Sequence, residues 1–191
     1  MVGVVVGLVI LVAMVAFVVL LPRIGESSGG ALPDALPGGL TATDIVDETQ
    51  SDSAGAEEFA QLQGDLVASA EARLEEVYDV PARVRTYRDP ERGIQVTVLV
   101  IESAAGPFVP DGPPVDPQLL GYTRNLTDLV AVGDGTCSLI WQQPVPAGEP
   151  ITEPDPQAVK CQVGDAEGAY QLIGVGITAE QAVELLDGLV A

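Results

Sequence analysis

Residues 82–101 read ARVRTYRDPERGIQVTVLVI, and this stretch decides the fold. Its two halves, 82–87 and 94–101, alternate with a period of two, and Val96, Val98 and Val100 share one face. Between them, residues 89–93 (DPERG) are a strong turn signal, because proline suits the second position of a type I turn and glycine accepts the left-handed residue that follows. The stretch therefore predicts a β-hairpin.

Two helices are predicted on either side of this hairpin. Residues 56–78 carry apolar side chains at spacings of three and four, which predicts an amphipathic helix with one stripe to bury; these are Phe59, Leu62, Leu66, Ala70, Leu74 and Val77. Near the C-terminus, the sequence from Thr178 to Gln181 (TAEQ) is a capping box, which predicts the start of a second helix.

Further strands are predicted at 129–132, 136–141, 158–163 and 169–177, separated by glycine-rich and proline-rich turns. The proline-rich stretch 104–118 is expected to be a loop, and a short helix is expected from Asp116 to Leu126. This order of elements predicts an α+β domain at 56–191, in which two helices cover one face of an antiparallel sheet.

The N-terminus predicts a membrane anchor. Residues 2–21 hold no charge and are long enough to cross the hydrocarbon core as a helix, so 1–22 is assigned as a transmembrane anchor. A cleaved signal peptide is the alternative, but the apolar run is longer than usual and lacks a basic start. Residues 23–55, rich in Pro, Gly and Ser, are expected to form a disordered linker. Arg23 weakly favours a cytoplasmic body, whereas the cysteines and the long linker favour a body outside the membrane, which we prefer.

Charge and composition exclude several functions. The formal net charge of −20 disfavours a nucleic-acid partner. The chain contains no histidine, which removes Ser-His-Asp and Cys-His nucleophile systems and most zinc hydrolases. We therefore expect no metal, no cofactor and no enzymatic activity; a hydrolase using two carboxylates on envelope polymers is the remaining catalytic hypothesis.

The two cysteines, Cys137 and Cys161, lie in predicted strands on either side of the loop 144–156. Antiparallel pairing of these strands would bring them together, so a disulfide is predicted, which suits an oxidising compartment. A metal site, a redox-active pair and two unrelated buried thiols are weaker alternatives.

Half of the cations lie in the hairpin. Arg83 and Arg85 are expected on one face of its first strand, and Arg88 and Arg92 flank its turn. They are candidates for binding an anionic ligand or an acidic partner. The alternative, which we prefer, is that they pair with the acidic first helix or solvate the hairpin edge.

These features predict a non-catalytic accessory or sensor module at the cell envelope, which binds a protein partner or ligand outside the membrane. The alternative is a structural component of a membrane complex or filament, in which Gly3 and Gly7 form a small-xxx-small pair that lets anchors pack together.

In layout, the apolar segment 2–21, the Pro/Gly tether and the late strands with Cys137 and Cys161 resemble membrane-anchored extracytoplasmic proteins of uncharacterised function from high-GC actinobacteria. This resemblance implies a single-pass protein of the cell envelope and supplies no catalytic residues. A lipobox cysteine, typical of the lipoprotein members, is missing here.

Overall fold

The structure, a computed structural model, describes residues 31–46 and 55–190. Its strands and helices follow in chain order: β1 (Ala35–Leu36), β2 (Leu40–Ala42), α1 (Ala56–Tyr78), β3 (Ala82–Asp89), β4 (Ile94–Ile101), β5 (Tyr122–Arg124), β6 (Thr127–Val132), β7 (Gly135–Ile140), β8 (Val145–Pro146), β9 (Ala158–Gly164), β10 (Ala169–Val175) and α2 (Ala179–Val190).

Eight strands form one antiparallel sheet in the order β1-β2-β3-β4-β10-β9-β7-β6, and β5 pairs with β8 separately. The predicted hairpin is confirmed as β3 and β4, which pair along their whole length from Ala82–Ile101 to Asp89–Ile94. The coarse architecture predicted from the sequence, an antiparallel sheet with two helices, is likewise confirmed.

One face of the sheet carries the core. Val96 and Val98 of β4 are fully buried, as is Leu172 of β10, which lies opposite Val98 in the register. Cys161 of β9 follows on the same face, because it lies opposite Leu172. Side chains directly across an antiparallel pair point to the same face, so these residues form one continuous apolar layer.

Helix α2 covers this face. It begins with the predicted capping box, in which the Thr178 amide donates to Gln181 Oε1 at 3.1 Å and the Gln181 amide donates to Thr178 Oγ1 at 3.3 Å. This exchange satisfies amide groups that the first turn leaves without helical partners. Five of its apolar side chains join the core cluster: Ala179, Ala182, Val183, Leu185 and Leu186.

The expectation that both helices cover one face is wrong for α1. Helix α1 contributes no residue to the main core cluster and packs against β3 instead. The Val84 amide donates to Glu71 Oε1 at 2.9 Å, and the Ala82 amide donates to Glu75 Oε1 at 3.5 Å. Strand β2 pairs with β3 only at the C-terminal end of β3, at Tyr87 and Arg88. The outward amides at the other end of β3 therefore need acceptors, and the two carboxylates of α1 supply them.

The linker expected at 23–55 is wrong for residues 35–42, which form β1 and β2. Leu36, Leu40 and Ala42 are buried in the core cluster. The Pro37-Gly38-Gly39 turn links the two strands, and both glycines adopt the left-handed backbone that it requires, with φ of 83° and 85°. The sheet therefore begins before α1, and the folded unit starts at Leu32. Of the linker, residues 23–30 and 47–54 lie outside the described residues, as does the anchor expected at 1–22.

Two smaller expectations also change. The short helix expected from Asp116 to Leu126 is only the 3-10 turn Pro117–Leu120, because Gly121 leaves helical geometry with φ of 78°. The last strand ends at Val175, since Gly176 also has a positive φ, of 73°. Across residues 31–46 and 55–190, no helix has the length and apolar character needed to span a bilayer.

Candidate functional site

A groove opens between three segments that are far apart in the sequence. Pro37, Gly38 and Leu40 come from the β1–β2 turn, and Arg92 and Ile94 come from the β3–β4 turn. The third wall belongs to the start of α2 and the residues before it: Ile177, Gln181, Glu184 and Leu185. The groove has a volume of about 320 Å³. This is at the lower end of the range found for small-molecule sites, roughly 300–1,000 Å³.

The groove combines an apolar floor with a polar rim. Leu40, Ile94, Ile177 and Leu185 are buried core residues whose side chains line it. Arg92, Gln181 and Glu184 supply a cation, an amide and a carboxylate. Apolar walls with a few polar groups are typical of sites that take an apolar group and fix its orientation.

Arg92 is held in place by its own turn. Its Nε donates to Asp89 Oδ2 at 2.5 Å, and its guanidinium also donates to the Gly38 carbonyl oxygen across the groove. The bond from Arg92, together with the backbone amides of Arg92 and Glu91, holds the pKa of the Asp89 carboxyl below its ordinary value. Arg92 thus ties the β3–β4 turn to the β1–β2 turn.

Residues 32–44, which we call the strap, form one wall of the groove and are fixed by β3. Arg85 bonds Asp34 at 2.8 Å, Asp44 at 2.9 Å and the Leu32 carbonyl oxygen at 2.6 Å. Only 12% of the Arg85 side chain and 21% of the Asp44 side chain are exposed, so water competes weakly with the bond between them. The Asp34 side chain is 76% exposed, so its bond to Arg85 is partly screened by water.

Tyr87, which is fully buried, adds a second anchor to the strap. Its hydroxyl donates to the Pro33 carbonyl oxygen at 2.9 Å. Burial raises the pKa of Tyr87 to about 12, although the nearby Arg85 opposes the increase. The strap is therefore held by one charged and one neutral side chain of the same strand face.

The four arginines predicted as a binding cluster do not form a single patch. Arg83 and Arg85 share a face of β3, as predicted, and Arg88 lies on the other face. Arg83 pairs with Glu102 at 3.5 Å and with Glu75 of α1 at 3.9 Å. Only Arg92 lines the groove.

Arg88 lies over the Phe59 ring, with its guanidinium carbon 5.4 Å from the ring centre. Such a contact is a cation–π interaction and orients the arginine against α1. The alternative that we prefer from the sequence is that these arginines pair with the acidic first helix. It is correct for Arg83, which pairs with Glu75, whereas Arg85 and Arg92 hold the strap. Binding of an anion by this group stays a prediction.

The predicted disulfide is present. Cys137 of β7 and Cys161 of β9 lie opposite each other in the register, are bonded to each other and are fully buried. The bond joins two neighbouring strands beneath α2 and is compatible with an oxidising, extracytoplasmic location. Gly3 and Gly7, the predicted packing pair, lie outside the described residues.

A second, more open depression is also present. It is lined by Trp141, Gln142, Glu153, Pro154, Asp155 and Gln157, and its volume is about 340 Å³. The Arg124 guanidinium stacks on Trp141 at 4.5 Å, and the Trp141 indole donates to the Pro154 carbonyl oxygen. These contacts already engage Trp141, the one aromatic side chain that lines this depression, so we favour the first groove as the functional site.

In the part of the chain that the structure describes, no group of three or more His, Cys, Asp or Glu side chains could hold a metal ion. Compared with protein-family models, with curated proteins and with solved structures, the chain matches none. A functional proposal therefore depends on the groove, the disulfide and the sequence itself.

Proposed function

We propose that this chain is a single-pass, membrane-anchored protein of the cell envelope whose folded domain is a non-catalytic binding module outside the cytoplasm. The groove between the strap, the β3–β4 turn and α2 receives an apolar side chain of a protein partner. The observation that carries this proposal is the groove itself, with its apolar floor and mixed polar rim.

Two features support the proposed location, one for the membrane anchor and one for the side of the membrane. Residues 2–21 form an uncharged run of the length needed to cross a bilayer. The disulfide adds a second argument, because such bonds persist in oxidising compartments and are rare in the cytosol.

The choice of a protein partner follows from the form of the groove. A cavity of about 320 Å³ accommodates an aromatic or aliphatic anchor, the kind of residue that dominates protein interfaces. Arg92 and Glu184 provide opposite charges at its rim, which suits the polar backbone and flanking side chains of a bound segment. Because Arg92 bonds Asp89 and Gly38, the wall is ordered before the partner arrives, which lowers the entropic cost of binding.

Photocrosslinking in the cells that make the protein tests this proposal. A photoreactive amino acid replaces Glu184, which lines the groove and is exposed, in the full chain. The matched control places the same group at Asp187, an exposed acid one turn further along α2 that does not line the groove.

We expect a crosslinked adduct with a second protein from position 184 and none from position 187. Equal adducts from both positions, or none from position 184, would contradict the proposal. Adducts only between copies of this chain would instead favour the structural role in a membrane assembly.

A further inference from the structure

Helix α1 leaves an apolar stripe uncovered. Phe59, Leu62, Leu66 and Val77 are 43%, 54%, 55% and 59% exposed. The first three follow the i, i+3, i+7 spacing of a coiled-coil seam, and Val77 lies on the same side of the helix. These are four of the six residues of the stripe that the sequence predicts to be buried; the other two, Ala70 and Leu74, are partly buried.

A different side of α1 attaches it to the domain. Ala60 is its one buried residue in the described structure, and Glu71 and Glu75 bond the outward amides of β3. At 100° per residue, Ala60 and Glu71 lie about a quarter turn or more away from the line of Phe59 and Leu66. Within the stripe, Phe59 meets the sheet, because Arg88 of β3 lies over its ring. Leu62, Leu66 and Val77 are more than half exposed and stay available to another molecule.

An acidic ridge runs beside the stripe. Glu58, Asp65 and Glu76 each directly precede an apolar residue of the stripe, so they lie on its flank, away from Ala60. The helix also carries Glu57, Glu71 and Glu75 against a single cation, Arg73, which is paired with Glu76 at 2.6 Å. An apolar surface with this border favours a cationic partner and disfavours one of the same sign.

We propose that α1 is a docking surface for a basic amphipathic helix of a partner protein. The partner helix places apolar residues along Phe59, Leu62 and Leu66 and places Lys or Arg beside Glu58 and Asp65. A second copy of this chain would bring two acidic ridges together on molecules of net charge −20, and an anionic lipid surface would meet the same repulsion. This surface is separate from the groove residues, so it goes beyond the proposed function.

Binding of a designed peptide tests the surface. The protein is the full chain in phosphatidylcholine nanodiscs, with empty discs subtracted. The probe is a fluorescent 21-residue helical peptide with leucines at the seam and lysines on both flanks, and its twin carries glutamates in place of the lysines. Affinity is measured by fluorescence anisotropy at low and high salt.

We expect the lysine peptide to bind and its affinity to fall as salt rises, because the charges involved are exposed. The paired change Leu62→Ser and Leu66→Ser should weaken binding by roughly tenfold or more, as loss of central apolar anchors does. The control pair Ala68→Ser and Ala72→Ser, exposed positions on the opposite side of the helix, should leave the affinity within about twofold of the unchanged protein.

Three results would overturn the proposal. If the lysine peptide binds the Leu62→Ser, Leu66→Ser variant as tightly as it binds the unchanged protein, the stripe is not the contact surface. Equal affinity for the lysine and glutamate peptides would remove the electrostatic argument. If sedimentation shows that the full chain self-associates and that Leu62→Ser abolishes this association, the stripe binds a second copy of the chain. Crosslinking from position 184 is unaffected by these variants, so the two proposals fail separately.

Discussion

Breaking the bond between Cys137 and Cys161 should remove a large part of the domain's stability. The two residues are 24 positions apart, and for a closed loop of that length the chain-entropy relation gives about 3.5 kcal/mol at 25 °C. Both side chains are fully buried between sheet and α2. The double change Cys137→Ala and Cys161→Ala therefore also removes two buried sulfur atoms, which adds about 1–2 kcal/mol.

The assay is urea unfolding of the full chain, followed by the fluorescence of Trp141, the one tryptophan. Comparing the unchanged protein with and without reductant measures the stability that closing the loop contributes. The double alanine variant measures this contribution together with the loss of the two buried sulfur atoms. The reduced protein should unfold at a lower urea concentration and with a steeper dependence on urea, because its unfolded chain is more expanded. The same midpoint with and without reductant would refute the reasoning.

Three further changes test the strap and the packing of α2. Because folding raises the pKa of Tyr87 from 10 to about 12, its contribution is complete below pH 10 and is lost as pH rises through 12; urea midpoints should fall over that range, and Tyr87→Phe should reduce this alkaline decline, leaving the part that belongs to Tyr170, whose pKa is also raised by burial. Arg85→Met leaves Asp34 and Asp44 without their cation; Asp34 is mostly hydrated, so the loss should come chiefly from the bond to Asp44 and be about 1.5–3 kcal/mol, with faster amide hydrogen exchange in the strap. Gly135→Ala places a Cβ 2.7 Å from a Val183 methyl and should cost about 1–3 kcal/mol in urea unfolding, whereas Gly112→Ala, with open space around it, should cost nothing measurable.

The features that the sequence predicts correctly are local or fixed by strand pairing. The 89–93 turn and the alternation after it are enough for the hairpin, and the capping box from Thr178 marks the start of α2. The disulfide follows because Cys137 and Cys161 fall in neighbouring antiparallel strands. Each of these depends on residues that meet within one supersecondary unit.

The periodicity of apolar residues in α1 does not determine which side of the helix packs on the sheet. The spacing of Phe59, Leu62 and Leu66 correctly predicts a helix, but the helix packs through Ala60 and through the carboxylates of Glu71 and Glu75. An apolar stripe shows that a helix has a surface to bury, but it does not show which part of the protein, or which partner, covers that surface. The unpaired amides of β3, visible only in the assembled sheet, determine which side of α1 is attached.

The strap and the groove depend on long-range contacts. Proline and glycine around residues 33–39 predict a flexible linker by composition, yet Leu36 and Leu40 reach the core and Arg85 fixes the strap from more than forty residues away. The groove then collects residues from the strap, from the β3–β4 turn and from α2. Only Arg92 among these is a predicted site residue, because no sequence window contains all three walls.

The central claim, an occupied groove on the outer side of the membrane, is tested most directly by labelling one engineered thiol in living cells. Glu184→Cys is treated with a membrane-impermeant maleimide in intact cells and again as purified full chain; Asp187→Cys is the matched control on the same helix. The native cysteines are joined to each other and do not react. We expect both thiols to react in intact cells and Glu184→Cys alone to react more slowly there than when purified, because a partner covers it. Reaction only after the cells are lysed, or the same rate for Glu184→Cys in both settings, would contradict it.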